Sequence, residues 1–169
     1  MDVPASWTLL ENVFLDFPGY NCFACSPWHA QGFRLSFYRL PDEEAVAAPV
    51  PAPGPDRAGF PGILHGGFQS LLLDEIMCWA ALHLAGKIVF TGELSVRFKA
   101  PAPSGRALLA KGWVEKDGGR LIRAGGVLLD GDAVLAEGAG SFFVPTAEGF
   151  AKSLGLARAP GKYLPYLRP

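Results

Sequence analysis

The sequence predicts an α+β domain in which a sheet of about six antiparallel strands surrounds one long buried helix. Two observations carry this. Pro61 to Leu84 is the longest apolar run in the chain and is rich in good helix formers, and four strand-like segments follow it, separated by short turn sequences. A third, the alternation of apolar and polar residues between Phe33 and Leu40, supplies strands ahead of the helix. With 169 residues, 50% of them hydrophobic, the chain is long enough to bury about two thirds of its unfolded surface as one domain.

At the amino end, Trp7, Leu9, Leu10, Val13, Phe14 and Phe17 have the spacing of a short amphipathic helix, stopped by Pro18 and Gly19. Cys22-x-x-Cys25 with His29 beyond it is half of a zinc or redox pattern. No second cysteine pair exists, Cys78 lies inside the helical run, and Pro27 indicates a loop, so the pair reads as structural packing. Metal analysis showing about one zinc per chain would overturn that reading. Phe33, Leu35 and Phe37 alternate with Arg34, Ser36 and Tyr38 as a half-buried strand, and Glu44 to Val50 is its expected partner. Pro49 to Pro61 holds five prolines and two glycines in thirteen residues, too broken for regular structure, and reads as a lid over the helix start.

Gly66-Gly67 opens the helix and Gly86 stops it. Phe68, Leu71, Leu72, Leu73, Ile76, Trp79 and Leu82 point in nearly every direction at 100° per residue, which marks a helix buried all round. Gln69, Asp74, Glu75 and two histidines make the run unsuitable as a membrane span. An ionised group removed from water costs several kcal/mol unless it is paired or does chemistry, so the two acids are informative. Asp74 shares a face with Gly67, Ser70, Met77, Cys78 and Ala81, a mainly small-residue side that borders a cavity. Glu75 lies among Phe68, Leu71, Trp79 and Leu82, and of the two it is the one expected to reach a surface arginine. The amino end presents free amides whose partial positive charge suits an oxyanion. His65 and Asp74 are nine residues, roughly 13 Å, apart along the axis, so one carbonyl cannot touch both on one helix. Two antiparallel copies of the helix would solve this.

Ile88 to Lys99, Arg106 to Lys116, Arg120 to Leu129 and Val134 to Val144 are the downstream strands. Pro101 to Gly105, Asp117-Gly118-Gly119 and Asp130-Gly131-Asp132 are their turns. In the tail, a helical turn is expected near Phe150 to Leu156, with an extended arm after Pro160. The net charge of −1 and the lack of a basic run argue against nucleic acid and favour self-association. Twenty residues ahead of Asn21 are too few for a helix-turn-helix module. The amino end has no signal-like apolar core, and three cysteines, an odd number, fit a reducing compartment, so a cytoplasmic location is expected.

Gly62-Ile63-Leu64-His65-Gly66-Gly67 followed by Asp74 resembles the hotdog-fold acyl-CoA thioesterases of the phenylacetate-pathway type. Phe90 to Ala102, FTGELSVRFKAPA, looks like that family's strand after the helix with its closing proline turn. Asn21-Cys22-Phe23-Ala24-Cys25 and Gly32-Phe33-Arg34-Leu35 look like the lead-in of one branch. The likeness covers roughly residues 20 to 145, leaving 1–20 and 146–169 as extensions of a single hotdog domain.

This resemblance implies hydrolysis of an acyl-CoA or related acyl thioester at a site shared by two subunits, in a homodimer or a dimer of dimers. The Gly66 amide would polarise the carbonyl, and Asp74 of the other subunit would act as base or nucleophile. Thr91 would help hold the water, and His65 would orient the turn. Gly67 and Ser70 would border the substrate, with Phe68, Met77 and Trp79 shaping the acyl pocket. Arg97 and Lys99, together with Arg106, Arg120 and Arg123, would meet the phosphates of coenzyme A. No separate cofactor and no metal are implied. Relatives often carry asparagine six residues before the histidine, where this chain has Gly59. A non-catalytic acyl-CoA binder and an enoyl-thioester hydratase are the alternatives.

Overall fold

The computed structural model describes residues 3–169. In chain order its elements are β1 (Thr8–Leu9), β2 (Tyr38–Arg39), β3 (Ala45–Val50), a 3₁₀ turn (Pro55–Arg57), β4 (Ala58–Phe60), β5 (Ile63–Leu64) and α1 (Gly66–Leu84). There follow β6 (Phe90–Phe98), β7 (Leu108–Asp117), β8 (Leu121–Asp130), β9 (Ala133–Phe143), α2 (Ala147–Ser153) and a second 3₁₀ segment (Gly161–Tyr166). Seven strands form one antiparallel sheet in the order β1-β2-β3-β7-β8-β9-β6, and β4 pairs with β5 apart from it. Helix α1 packs over β7 and β8 at the centre of the sheet and reaches β3, β9 and β6 on either side. The expected α+β arrangement of one long helix against an antiparallel sheet is therefore present, as are the four downstream strands.

Three glycines let the helix lie close. Gly112, Gly126 and Gly138 face one another across β7, β8 and β9 in a single row beneath α1. A Cβ on Gly112 would come within 2.8 Å of the Ile76 carbonyl oxygen. One on Gly126 would meet Ile76 and Met77 at 3.3 Å, and one on Gly138 would meet Leu73 and Met77 at 3.2 Å. Leu72, Leu73, Ile76, Met77 and Ala80 are accordingly sealed into the main core with Leu108, Ile122, Leu128 and Phe142.

Four expectations need correction. The amino-terminal helix over 1–20 does not form; Met1 and Asp2 lie outside the described residues. Thr8 and Leu9 instead pair with Arg39 and Tyr38 as the edge strand β1, and turns fill the stretch after them. Asn12 Oδ1 takes the Phe14 amide at 3.0 Å, a local bond that competes with a helix backbone. From Phe33 to Leu40 the alternation is right, because Phe33, Leu35 and Phe37 are buried and Arg34 and Ser36 exposed, but only Tyr38–Arg39 joins the ladder. The amides of Phe33 and Leu35 are taken by the Phe23 and Ala24 carbonyls of the cysteine turn.

The proline-rich loop is pinned and does not hang free as a lid. Pro49 belongs to β3, Pro53 accepts from the Gly105 amide, and the Arg57 guanidinium lies 4.7 Å over the Phe33 ring. The tail is likewise not an extended arm. Phe150 of α2 and Tyr163 and Leu167 beyond it form a second core with Leu82, Ile88, Phe14 and Phe17, and the Tyr163 hydroxyl donates to the Val13 carbonyl. The two chain ends thus cover the carboxyl end of α1.

Gly112→Ala should lose about 1–3 kcal/mol of stability, because backbone rather than a flexible side chain opposes the added methyl. Gly161→Ala, which meets nothing within 4 Å, should stay within about 0.5 kcal/mol of the parent. Urea unfolding with unchanged m-values is the measurement, and equal midpoints for the two variants would count against the glycine row as a packing constraint.

Candidate functional site

Pro61 and Gly62, the latter at φ +78°, make the turn of the β4–β5 hairpin, and helix α1 begins directly after β5. His65 is the N-cap. Its Nδ1 accepts the Gly67 amide at 2.9 Å, and its carbonyl accepts the amides of Phe68 and Gln69. Among the described residues this leaves Gly66 N–H as the donor of the first turn without an acceptor. It opens on a cleft of about 480 Å³ lined by Gly59, Phe60, His65, Gln69, Phe98 and Lys99.

The lining glycines have little room for a side chain. A Cβ on Gly66 would sit 3.2 Å from the Phe98 ring, and one on Gly59 would sit 3.1 Å from the His65 ring. Gly59 therefore leaves its backbone packed against the capping histidine. Gln69 was not singled out from the sequence. It is 4% exposed, donates Nε2–H to the Leu64 carbonyl at 3.0 Å, and leaves Oε1 without a partner. The signal was the one applied to Asp74: a polar side chain in an apolar helical run needs a partner.

Two turns along α1, Asp74 Oδ1 accepts the hydroxyl of Thr91 on β6 at 2.8 Å. Burial pushes the Asp74 carboxyl above the usual carboxylate range, and the Thr91 bond pulls it back in part. One turn earlier on the same face, Ser70 Oγ donates to the Gly66 carbonyl at 3.0 Å. Cys78 Sγ lies 4.0 Å from Thr91 Oγ1, so Ser70, Asp74, Cys78 and Thr91 follow one another along the side of α1 next to β6. No lysine or arginine among the described residues pairs with Asp74.

The eight residues from Gly66 to Asp74 correspond to roughly 12 Å along the axis. The cleft at Gly66 includes neither Asp74 nor Thr91, so in one chain the oxyanion donor and the acid stand apart. The other sequence candidates scatter. Met77 is fully buried against Gly126 and Gly138, away from any cleft. Phe68 stacks on Phe23 at 5.9 Å and meets Phe33 edge-on. Lys99 reaches the cleft while paired with Glu137 at 3.3 Å, whereas Arg97 is an exposed residue of β6. Arg106 pairs with Asp130, and Arg123 sits in a separate depression with Glu93 and Glu115.

Glu75 departs from the surface-arginine expectation. No cation pairs with it among the described residues; it accepts the Trp79 indole N–H at 2.9 Å, and that ring stacks on Phe37 at 3.8 Å. Burial pushes its carboxyl up to about 8, with the nearby Cys22 sulfur adding to the rise. It borders a second, mostly apolar cavity of about 370 Å³ with Tyr20, Cys22, Cys25, Phe90 and Phe150.

Residues 61–137 match the sequence profile of the thioesterase superfamily. Over 86 residues, 51% of this chain, the sequence is 35% identical to the acyl-coenzyme A thioesterase THEM5 of Mus musculus. That alignment spans 34% of the relative, so this chain matches about a third of its length. Among solved structures, the thioesterase superfamily protein RHA08564 superposes with a TM-score of 0.64 at 28% identity, over 71% of this chain and 58% of that one. The smu.793 protein of Streptococcus mutans UA159, solved bound to acetyl CoA, superposes with a TM-score of 0.58 at 17% identity, over 64% of this chain and 86% of that one. The fold is thus the hotdog fold, and the likeness read from the histidine-diglycine-aspartate spacing stands at the level of the thioesterase superfamily.

Proposed function

We propose that this hotdog chain, matched by the thioesterase superfamily over residues 61–137, hydrolyses an acyl-CoA to the free acid and coenzyme A, with one active site built from two copies of the chain. The observation that carries the reading is the division of labour along α1, an unpartnered amide at Gly66 and a desolvated acid held by Thr91 some 12 Å away. An antiparallel second copy brings the Asp74 of one chain opposite the Gly66 of the other. Several features support the pairing. β6 ends the sheet with its outer edge unpaired, Phe60 and Phe98 beside the Gly66 cleft are 73% and 52% exposed, and the Asp74 face of α1 is only half-covered. The curated relative named for acyl-CoA hydrolysis and the neighbour bound to acetyl CoA support the substrate class.

In the proposed reaction Asp74 takes a proton from water, whose oxygen attacks the thioester carbonyl carbon. The developing oxyanion rests on Gly66 N–H. Collapse breaks the C–S bond, and the proton held by Asp74 passes to the departing thiolate. Direct attack by Asp74 would give a mixed anhydride that water then opens. Thr91 and His65 act by position, the one holding the carboxylate and the other the amide turn. Lys99 is the basic residue best placed for a coenzyme A phosphate. No cofactor beyond the coenzyme A of the substrate is needed, and three free thiols fit a cytoplasmic setting. Among the described residues no helix is long and apolar enough to cross a membrane. Gly59, which offers no side chain to the substrate, favours the second reading, an acyl-CoA binder without turnover.

Asp74→Asn should lower kcat on the best of a panel of short, long and aromatic acyl-CoAs by about 100-fold or more, as expected for removal of a base or nucleophile. The exposed Asp132→Asn should leave it within twofold or so. Equal rates for parent and Asp74→Asn would remove the acid from the mechanism, and saturable coenzyme A binding without turnover on any substrate would select the binder.

The shared site has its own test. Inactive Asp74→Asn and inactive Gly66→Val proteins, unfolded together and refolded as a mixture, should recover about a quarter of parental activity, because half of the dimers are mixed and each holds one intact site. Recovery of nothing, from mixtures that sediment as dimers, would place donor and acid in one chain.

A further inference from the structure

The cysteine turn meets Glu75, the acid of α1 that the proposed hydrolysis does not use. Fifty-three residues apart in sequence, Cys22 Sγ lies 3.6 and 3.8 Å from the two carboxylate oxygens of Glu75. One donor atom from each of Cys22, Cys25 and Glu75 lies within 4.8 Å of the other two. Zinc bound tetrahedrally to sulfur at about 2.3 Å and oxygen at about 2.0–2.2 Å holds its ligand atoms roughly 3.5–3.8 Å apart. Small side-chain rotations bring these three to that spacing.

The hydrogen bonds around the sulfurs have the matching polarity. The Cys25 amide donates to Cys22 Sγ at 3.4 Å, in a turn closed by the Ser26 amide on the Cys22 carbonyl. Asn12 Nδ2 donates to the Tyr20 hydroxyl at 2.9 Å, which leaves the Tyr20 proton for Cys25 Sγ at 2.8 Å. Donors aimed at both sulfurs are what the outer partners of metal-bound thiolates provide. Charge points the same way. Two thiols and a carboxyl meet in a wall that includes Phe14, Phe17 and Trp79, and no cation is paired with Glu75 among the described residues. Lys87 also lines the cavity but is paired with none of the three, and a divalent cation would cancel the charge that two thiolates and a carboxylate carry once deprotonated. His29 stands outside it, its Nδ1 taken by the Gln31 amide and its ring against Phe23.

We propose that Cys22, Cys25 and Glu75 form a binding site for a thiophilic divalent cation, zinc being the ion that a two-sulfur, one-carboxylate set favours. All three residues line the cavity of about 370 Å³, so the fourth position of the ion opens into it for water or a small ligand. Binding releases the two thiol protons and the proton of Glu75 where it is neutral, and replaces the Cys22–Glu75 hydrogen bonds with bonds to the ion. It staples the lead-in turn to the middle of α1 and stabilises the fold by mass action. The site is independent of thioester hydrolysis, and its test does not read turnover.

The test is cobalt titration of tag-free protein, reduced, stripped with chelator and dialysed. One equivalent should bind, with thiolate-to-cobalt charge-transfer absorption and the visible bands of tetrahedral cobalt, and zinc should abolish both. Cys22→Ser and Cys25→Ser should each lose the charge-transfer intensity of one sulfur and bind weakly. Glu75→Gln should keep two-sulfur absorption with affinity reduced at least about tenfold. Cys78→Ser should bind as the parent does. A wild-type protein whose three thiols all titrate, but which gives no charge-transfer band with excess cobalt, overturns the proposal without recourse to any variant. A band lost in Cys78→Ser and kept in Cys22→Ser overturns it as well.

Discussion

How closely α1 approaches the sheet is the constraint on which the rest of the structure depends. Gly112, Gly126 and Gly138 stand side by side on three neighbouring strands, and the first leaves less than a methyl's room beneath the Ile76 backbone. A helix held that low has one face filled completely, which is why Leu72, Leu73, Ile76 and Met77 are lost to solvent and unavailable to a ligand. The same closeness fixes what the remaining faces can do. One turns Ser70, Asp74 and Cys78 toward the open edge strand β6; another turns Glu75 and Trp79 toward the segment between β1 and β2. Side chains on these two flanks are positioned by the glycine row, which they never touch.

At the start of the helix the same economy applies to hydrogen bonds. A helix begins with four amides that have no partner within it, and His65 takes three of them, one with its ring and two with its carbonyl. What remains at Gly66 is one donor, backed by the helix dipole and free of any side chain that would cover it. Adding any side chain at Gly66 would press on Phe98, and the capping bond to Gly67 fixes where the histidine ring lies. The polarity of the cleft follows from capping stereochemistry, not from charged residues, of which only Lys99 lines it.

Helix α1 was legible in the sequence because glycine and proline punctuate both its ends, and β7, β8 and β9 because each is bounded by residues that suit tight turns. The fold class followed from these. The ends of the chain were not legible. Trp7 to Phe17 carries a spacing that suits a helix as well as it suits a strand followed by turns, and the choice is made by the Tyr38–Arg39 edge waiting to be paired and by the Asn12 side chain. Tyr163 and Leu167 look like residues of a proline-broken arm until the exposed carboxyl end of α1 supplies something to cover. At the candidate site, local spacing marks where His65, Gly66 and Gly67 open the helix, while Thr91, expected to hold a water, binds the Asp74 carboxylate instead. Gln69 and the meeting of Cys22 with Glu75 could not be read, since no local pattern records a contact across 53 residues.

Asp74 and Glu75 are adjacent in sequence, share a helix and are both desolvated, yet their surroundings separate them about as far as two carboxyls can be separated. Asp74 has a hydroxyl donor and a face open toward β6; burial raises its carboxyl and the Thr91 bond offsets part of that rise. Glu75 has an indole N–H, two sulfurs and an apolar wall, an environment that supports either a neutral carboxyl or one whose charge is cancelled directly. The 100° step between consecutive helical residues is enough to do this, because β6 and the cysteine turn approach α1 from different sides. With Glu75 neutral, the turn meets α1 at this point only through weak thiol bonds of 3.6 and 3.8 Å, and is otherwise held by the Tyr20–Cys25 hydrogen bond and the stacking of Phe23 on Phe68. A metal-bound Glu75 would make the turn part of the helix's own support. Since Phe23 and Ala24 of that turn accept the amides of Phe33 and Leu35, the support would extend through them toward β2.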